Sequence, residues 1–251
     1  MPFIPLHDKN PRILIARPYV TWGLIALCAA VFIVQISAGD GLIYALGLIP
    51  ATLMGDAQLS PNLYMVPPAV TLVSYAFLHG GWLHLGGNML FLWVFGDNIE
   101  DAMGHGRFIA FYLVGGVLAG LVQVFVDPMS RVPTVGASGA VAAVLGAYLM
   151  LHPRAKVRVL ILIFPVYVRA VLLLVFWILF QIYSAFGGGE GGVAWWAHIG
   201  GFVAGALLII PLRHNSLPLF GGDNLPGGIT LRRAFRRSAD GDSQDRRGPW
   251  S

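Results

Sequence analysis

Charge is scarce in this chain. Asp, Glu, Lys and Arg together make up 11% of its 251 residues, against 57% for the apolar set AVILMFWYC. An ordinary soluble domain carries about 25% charged residues. A soluble fold of this size has too little polar cover for so much apolar surface. A soluble enzyme, a disordered chain and a nucleic-acid module are therefore disfavoured, and an integral membrane protein is expected. Cysteine is almost missing. The single one, Cys28, lies inside an apolar run, so no intrachain disulfide forms and a small core residue is the simplest reading. Carboxylates are absent from the interior of the apolar runs: all twelve lie in loops, at run ends or in the tail. The net charge of +4 resides in short loops and a tail beside apolar runs. Anionic lipid headgroups suit that placement better than nucleic acid.

A crossing needs about 20 uncharged residues. Six segments qualify or nearly so: Pro18 to Gly39, about Trp82 to Asn98, Phe108 to Val126, a fourth opening near Ser138, a fifth within Ala170 to Gly189 and a sixth within Gly191 to Leu212. The first run starts near Tyr19 and reads as a retained span rather than a cleaved signal peptide. Pro61, Pro67 and Pro68 break the stretch before Trp82. Residues 157–168 are apolar too. Joined to the fifth span they would reach about 45 Å, too long for one crossing. With Pro165 inside and Arg169 after it, the segment reads as an interfacial loop, a long kinked helix being the alternative. With six spans and an inner N-terminus, fifteen of sixteen basic residues fall inside and Arg131 alone falls outside. The positive-inside rule then places both termini in the cytoplasm. The expected architecture is an all-α bundle of six transmembrane helices. Residues 1–18 form a cytoplasmic segment, 19–212 the membrane domain and 213–251 a basic tail for which disorder is the default. Within the tail, Ile229 to Arg237 is able to form one basic helix.

In lipid, the polar residues within spans are the informative ones. An unpartnered hydroxyl or imidazole there costs roughly 2–7 kcal/mol. The candidates are His79, His84, Asn88, Ser138, Gln181 and His198. Ser138 opens the fourth span within Gly136-Ala137-Ser138-Gly139, and Ala142 and Gly146 follow on its face. His198 shares a face with Gly201 and Gly205. Small residues let membrane helices approach closely, so the two faces are able to meet with Ser138 on one and His198 on the other. A serine beside a neutral histidine is a nucleophile with its general base. No carboxylate is placed to complete a triad, so the arrangement expected is a dyad whose histidine is oriented by packing. His84 and Asn88, four residues apart, share a face and carry donors suited to an oxyanion, with the Ser138 backbone N–H as a third. Three imidazoles without a thiolate or carboxylate in close spacing make a poor zinc set, and no metal is expected. His79 reads as an interfacial structural residue.

Taken together, these motifs resemble the rhomboid family of intramembrane serine proteases. Gly136-Ala137-Ser138-Gly139 is similar to that family's GxSG, His84 to Asn88 to its HxxxN with His79 five residues earlier, and Ala197, His198, Gly201 and Gly205 to its AHxxG with GxxxG. The likeness runs from about Tyr19 to Leu212. It implies cleavage of membrane-anchored proteins in or near their transmembrane helix, with Ser138 as nucleophile and His198 as base. His84, Asn88 and the Ser138 N–H would hold the oxyanion, and no cofactor is needed. It also implies a location in the cell membrane, the bacterial inner membrane, and transmembrane proteins as substrates. A catalytically inactive relative that binds transmembrane helices is the alternative. Two positions depart from the pattern. Thr71-Leu72-Val73-Ser74-Tyr75 stands where many members carry a Trp-Arg pair, and Ala142 stands where many carry an aromatic residue packed on the histidine. Another group must then hold the His198 ring.

Overall fold

The computed structural model describes residues 3–188 and 192–221. The tail beyond 221, with its segment 229–237, lies outside the described residues. Six helices of fourteen or more residues form the body: α1 (Tyr19–Ala38), α5 (Trp82–Met103), α6 (His105–Val126), α7 (Ser138–Leu151), α8 (Ala170–Tyr183) and α9 (Trp195–Leu212). Among the described residues, four stretches are long and apolar enough to cross a membrane: Tyr19–Ala38, His105–Val126, Ala170–Gly187 and Trp195–Leu212. The connection after α1 holds three short helices, α2 (Gly41–Leu46), α3 (Pro50–Met54) and α4 (Thr71–Ser74). Prolines at residues 50, 61, 67 and 68 keep it from forming one long helix.

α7 is the innermost helix. Its residues from Gly139 to Tyr148 are all buried, whereas α1 and α8 turn large apolar side chains outward. Its closest partner is α9, and glycine makes that approach possible. A Cβ on Gly201 or Gly205 would strike the α7 carbonyls of Gly139 and Ala143, and one on Gly146 would strike the Phe202 carbonyl of α9. Backbone lies on backbone along this seam, which fixes the relative height of the residues it carries.

The body is mostly helical but not wholly so. Residues 157–168, expected as an interfacial loop, form a hairpin of β2 (Lys156–Ile161) and β3 (Phe164–Arg169). β1 (Ile4–Asp8), within the expected cytoplasmic segment, for which no strand was expected, pairs antiparallel with β2, giving a three-stranded sheet in the order β1-β2-β3. The physical reason is alternation. Val157 and Val159 are fully buried against the helices, while Lys156 and Arg158, which alternate with them, stay exposed, which is the period-two pattern of a half-buried strand. The hairpin turns on Leu162, whose φ of 56° occupies the left-handed region usually left to glycine.

The second long helix runs past Asn98 to Met103 because its polar end is fully partnered. Glu100, which is wholly buried, accepts from the Val20 N–H (3.0 Å) and from the Thr21 N–H and hydroxyl (2.7 Å each). It thereby serves the donors that the start of α1 leaves open. Asp101 accepts from the N–H groups of Ile13, Leu14 and Ile15, each at 2.7 Å. Asp97 pairs with Arg12 at 2.7 Å. Four of the last seven residues of α5 thus hold the chain that leads into α1, because Asn98 in turn bonds both Asn10 and Asp8 (2.8 Å each).

Candidate active site

The site lies at the N-terminal ends of α5, α7 and α9, near the C-terminal end of α8. Ser138 is the first residue of α7, so its N–H has no acceptor within the helix. His198 is in the first turn of α9 and is 7% exposed. The seam between the two helices brings the Ser138 Oγ within 2.8 Å of His198 Nε2. The other ring nitrogen, Nδ1, lies 2.8 Å from Oε1 of Gln181 on α8. Trp177 and Trp195 flank the ring, with centroids 6.1 and 6.0 Å away.

Gly136 sets the approach to Ser138. Its φ of +125° excludes most side chains, and its N–H donates to the Tyr75 carbonyl at 2.9 Å. The absent side chain also leaves space that the His84 ring fills. His84 Cε1 and Nε2 stand 2.7 and 2.8 Å from where a Cβ on residue 136 would be, and Ser138 Oγ stands 3.6 Å from the same point. His84 Nδ1 accepts the Gly80 N–H at 3.2 Å. A neutral ring therefore carries its proton on Nε2, the nitrogen that faces Gly136. One turn further along α5, Asn88 is buried and its Nδ2 has no partner among the described residues. An unmade buried donor costs about 1–3 kcal/mol.

The Rhomboid domain model matches residues 68–215. The chain belongs to the rhomboid family. Relatives include the mitochondrial Rhomboid protein 1 of Saccharomyces cerevisiae, 31% identical over 151 residues that cover 57% of this chain and 41% of the relative. Rhomboid protease GlpG of Klebsiella pneumoniae is 30% identical over 132 residues, 52% of this chain and 42% of the relative. Rhomboid protease GlpG of Serratia proteamaculans is 30% identical over 190 residues, 75% of this chain and 61% of the relative. The chain thus spans less than two thirds of these relatives' lengths. Its rhomboid domain and apolar helices make it a multi-pass membrane protein.

Within this rhomboid fold the expected residues take distinct places. Ser138 and His198 touch, and His84 borders the same glycine as Ser138. Ala137 and Gly139 are buried beside the serine; Gly201 and Gly205 line the seam. His79 is fully buried, its ring edge-on to His84 at 5.4 Å, and Gln35 of α1 bonds both its N–H (3.0 Å) and its carbonyl (2.6 Å). The first departure from the family pattern has a substitute. Ser74 Oγ donates to the Leu46 carbonyl at 2.6 Å and Tyr75 OH to the Gly116 carbonyl at 2.7 Å, tying that loop down. The second does too, since Ala142 lies in the seam against Gly201 while Gln181 and the two tryptophans hold the histidine. Gln181 stood out in the sequence as a lone amide in an uncharged run, but nothing there joined it to His198.

Proposed function

We propose that this chain is an intramembrane serine endopeptidase that cleaves membrane-anchored proteins in or near their transmembrane helix. The observation that carries the reading is the 2.8 Å contact between Ser138 Oγ and His198 Nε2 in a sheltered site. His198 takes the hydroxyl proton as Ser138 Oγ bonds to the scissile carbonyl carbon. The negative charge that forms on the carbonyl oxygen is met by His84 Nε2–H, Asn88 Nδ2–H and the Ser138 N–H. His198 then gives its proton to the departing amine as the C–N bond breaks. Water, deprotonated by the same imidazole, releases the acyl group and restores Ser138. No metal or organic group is needed for any of these steps.

The six long helices are read as six crossings, with both termini cytoplasmic and the site near the outer surface. The bacterial inner membrane is the proposed location. The inner basic residues, Arg154, Lys156, Arg158 and Arg169 among them, are read as contacts for anionic headgroups.

A fluorophosphonate probe tests nucleophile and base without a known substrate. Labelling of the wild type is expected, with its loss in both Ser138→Ala and His198→Ala. Equal labelling of wild type and Ser138→Ala, or none in either, overturns the protease reading and leaves a helix-binding protein. Cleavage of a transmembrane substrate by Asn88→Ala is expected to be slower by about a hundredfold or more, the usual effect of removing one oxyanion donor.

A further inference from the structure

We infer that Gln181 is a positioning residue for the His198 base, and that α8 must be docked on α9 for the base to be correctly set. The inference rests on the protease reading above. The geometry determines which way the amide faces. Gln181 is 3% exposed, and its Nε2 donates to the Trp177 carbonyl one turn back, at 3.3 Å. A reversed amide would turn its oxygen toward that carbonyl oxygen, so Oε1 is the atom left for His198. An amide oxygen only accepts. His198 Nδ1 must then carry the proton, which leaves the Nε2 lone pair toward the Ser138 hydroxyl, as a general base requires. In the opposite tautomer the Nδ1 lone pair would face Oε1 and Ser138 would lose its proton acceptor. A neutral amide thus does the orienting work that a carboxylate does in a serine–histidine–aspartate triad.

The consequence for motion lies in where Gln181 sits. Ser138 and His198 are carried by helices whose backbones lie against each other along a glycine seam. Gln181 comes from α8, an outer helix whose Leu172, Phe176, Leu179 and Tyr183 are 64%, 53%, 58% and 67% exposed. Displacement of α8 from α9 would leave the serine–histidine pair in place and remove only the Nδ1 acceptor.

The test uses the full chain in proteoliposomes, with the rate of fluorophosphonate labelling followed from pH 5 to 9 and thermal unfolding measured alongside. Gln181→Met keeps length and apolar packing but removes the strong acceptor. Gln181→Glu keeps the acceptor and adds a charge. Gln181→Met is expected to label about tenfold more slowly than wild type, near the worth of one hydrogen bond in the transition state, with an unchanged melting temperature. Gln181→Glu is expected to label within about threefold of wild type at high pH, with the acid limb of its profile displaced to higher pH, because a carboxylate favours the imidazolium. Wild-type labelling by Gln181→Met overturns the inference. So does Gln181→Glu labelling as slowly as Gln181→Met at every pH, since shape alone would then explain both. Where Gln181→Met fails to fold, a Gln181→Glu profile superimposed on wild type overturns it. Equal labelling of wild type and Ser138→Ala removes the protease reading itself, a result distinct from these three.

Discussion

Asp8 carries a pH dependence of its own. The strand β1 buries its carboxyl between Asn98 Nδ2 (2.8 Å) and Tyr148 OH (2.6 Å). Burial, joined by the nearby Asp97, pushes it from 3.8 up to about 7, although the Tyr148 hydrogen bond opposes the rise. Between those two values the folded chain holds a proton that the unfolded chain has released. The stability this group contributes is therefore full below about pH 4 and is lost as pH rises through 7. Asp8→Asn keeps an acceptor for both donors and removes the titration. Its melting temperature is expected to gain on wild type as pH rises from 5 to 8, as read by thermal unfolding in detergent; parallel curves would contradict the assignment. The same residue shows where sequence reading stops. Asp8 lies in the stretch expected as a cytoplasmic segment, and its burial depends on contacts distant in sequence, with β2, Asn98 and Tyr148.

At the level of elements, the seam between α7 and α9 was legible because its signal is periodic. Ser138, Ala142 and Gly146 on one helix, and His198, Gly201 and Gly205 on the other, leave two smooth faces that fit. The prediction that belongs here is Gly205→Val. Its side chain would meet the Ala143 carbonyl and force the helices apart. Overpacking of this kind typically costs 1–3 kcal/mol, occasionally more. Probe labelling is expected to fall with the melting temperature, whereas Gly23→Val, in open space on α1, should change neither. The hairpin was less legible. Val157 and Val159 alternate with Lys156 and Arg158, but the apolar run from Val159 to Phe164 masks that period. The Gln181–His198 contact was not legible at all, because it depends on how far α8 is rotated about its axis, which no local pattern encodes. The end of α5 was misjudged for a related reason. Glu100 and Asp101 look like residues outside a span until their backbone donors, 79 to 88 residues away in sequence, are seen.

For the whole molecule, the charge distribution supports the proposed orientation. Arg12, Lys9, Arg107, Arg158 and Arg213 all lie toward the end of the bundle opposite the Ser138 site, where α5 and α9 finish and α6 and α8 start. Of the lysines and arginines among the described residues, Arg131 alone belongs to the other end, in the connection that leads to Ser138. Both termini are therefore expected on the cytoplasmic side, with Ser138 near the opposite surface. Cysteines introduced at residues 2 and 250 should react with a membrane-impermeant maleimide only after the cells are permeabilised, while one at residue 57 should react in intact cells. Reaction at residue 2 in intact cells would reverse the topology.

The place of β1 at the margin of the sheet has a practical consequence. It covers one side of β2, whose backbone groups would otherwise stand open as a template for another chain. Shortening the protein by its first ten residues would thus do more than lose a few contacts: it would uncover an adhesive edge, and aggregation rather than simple loosening would be the result to guard against.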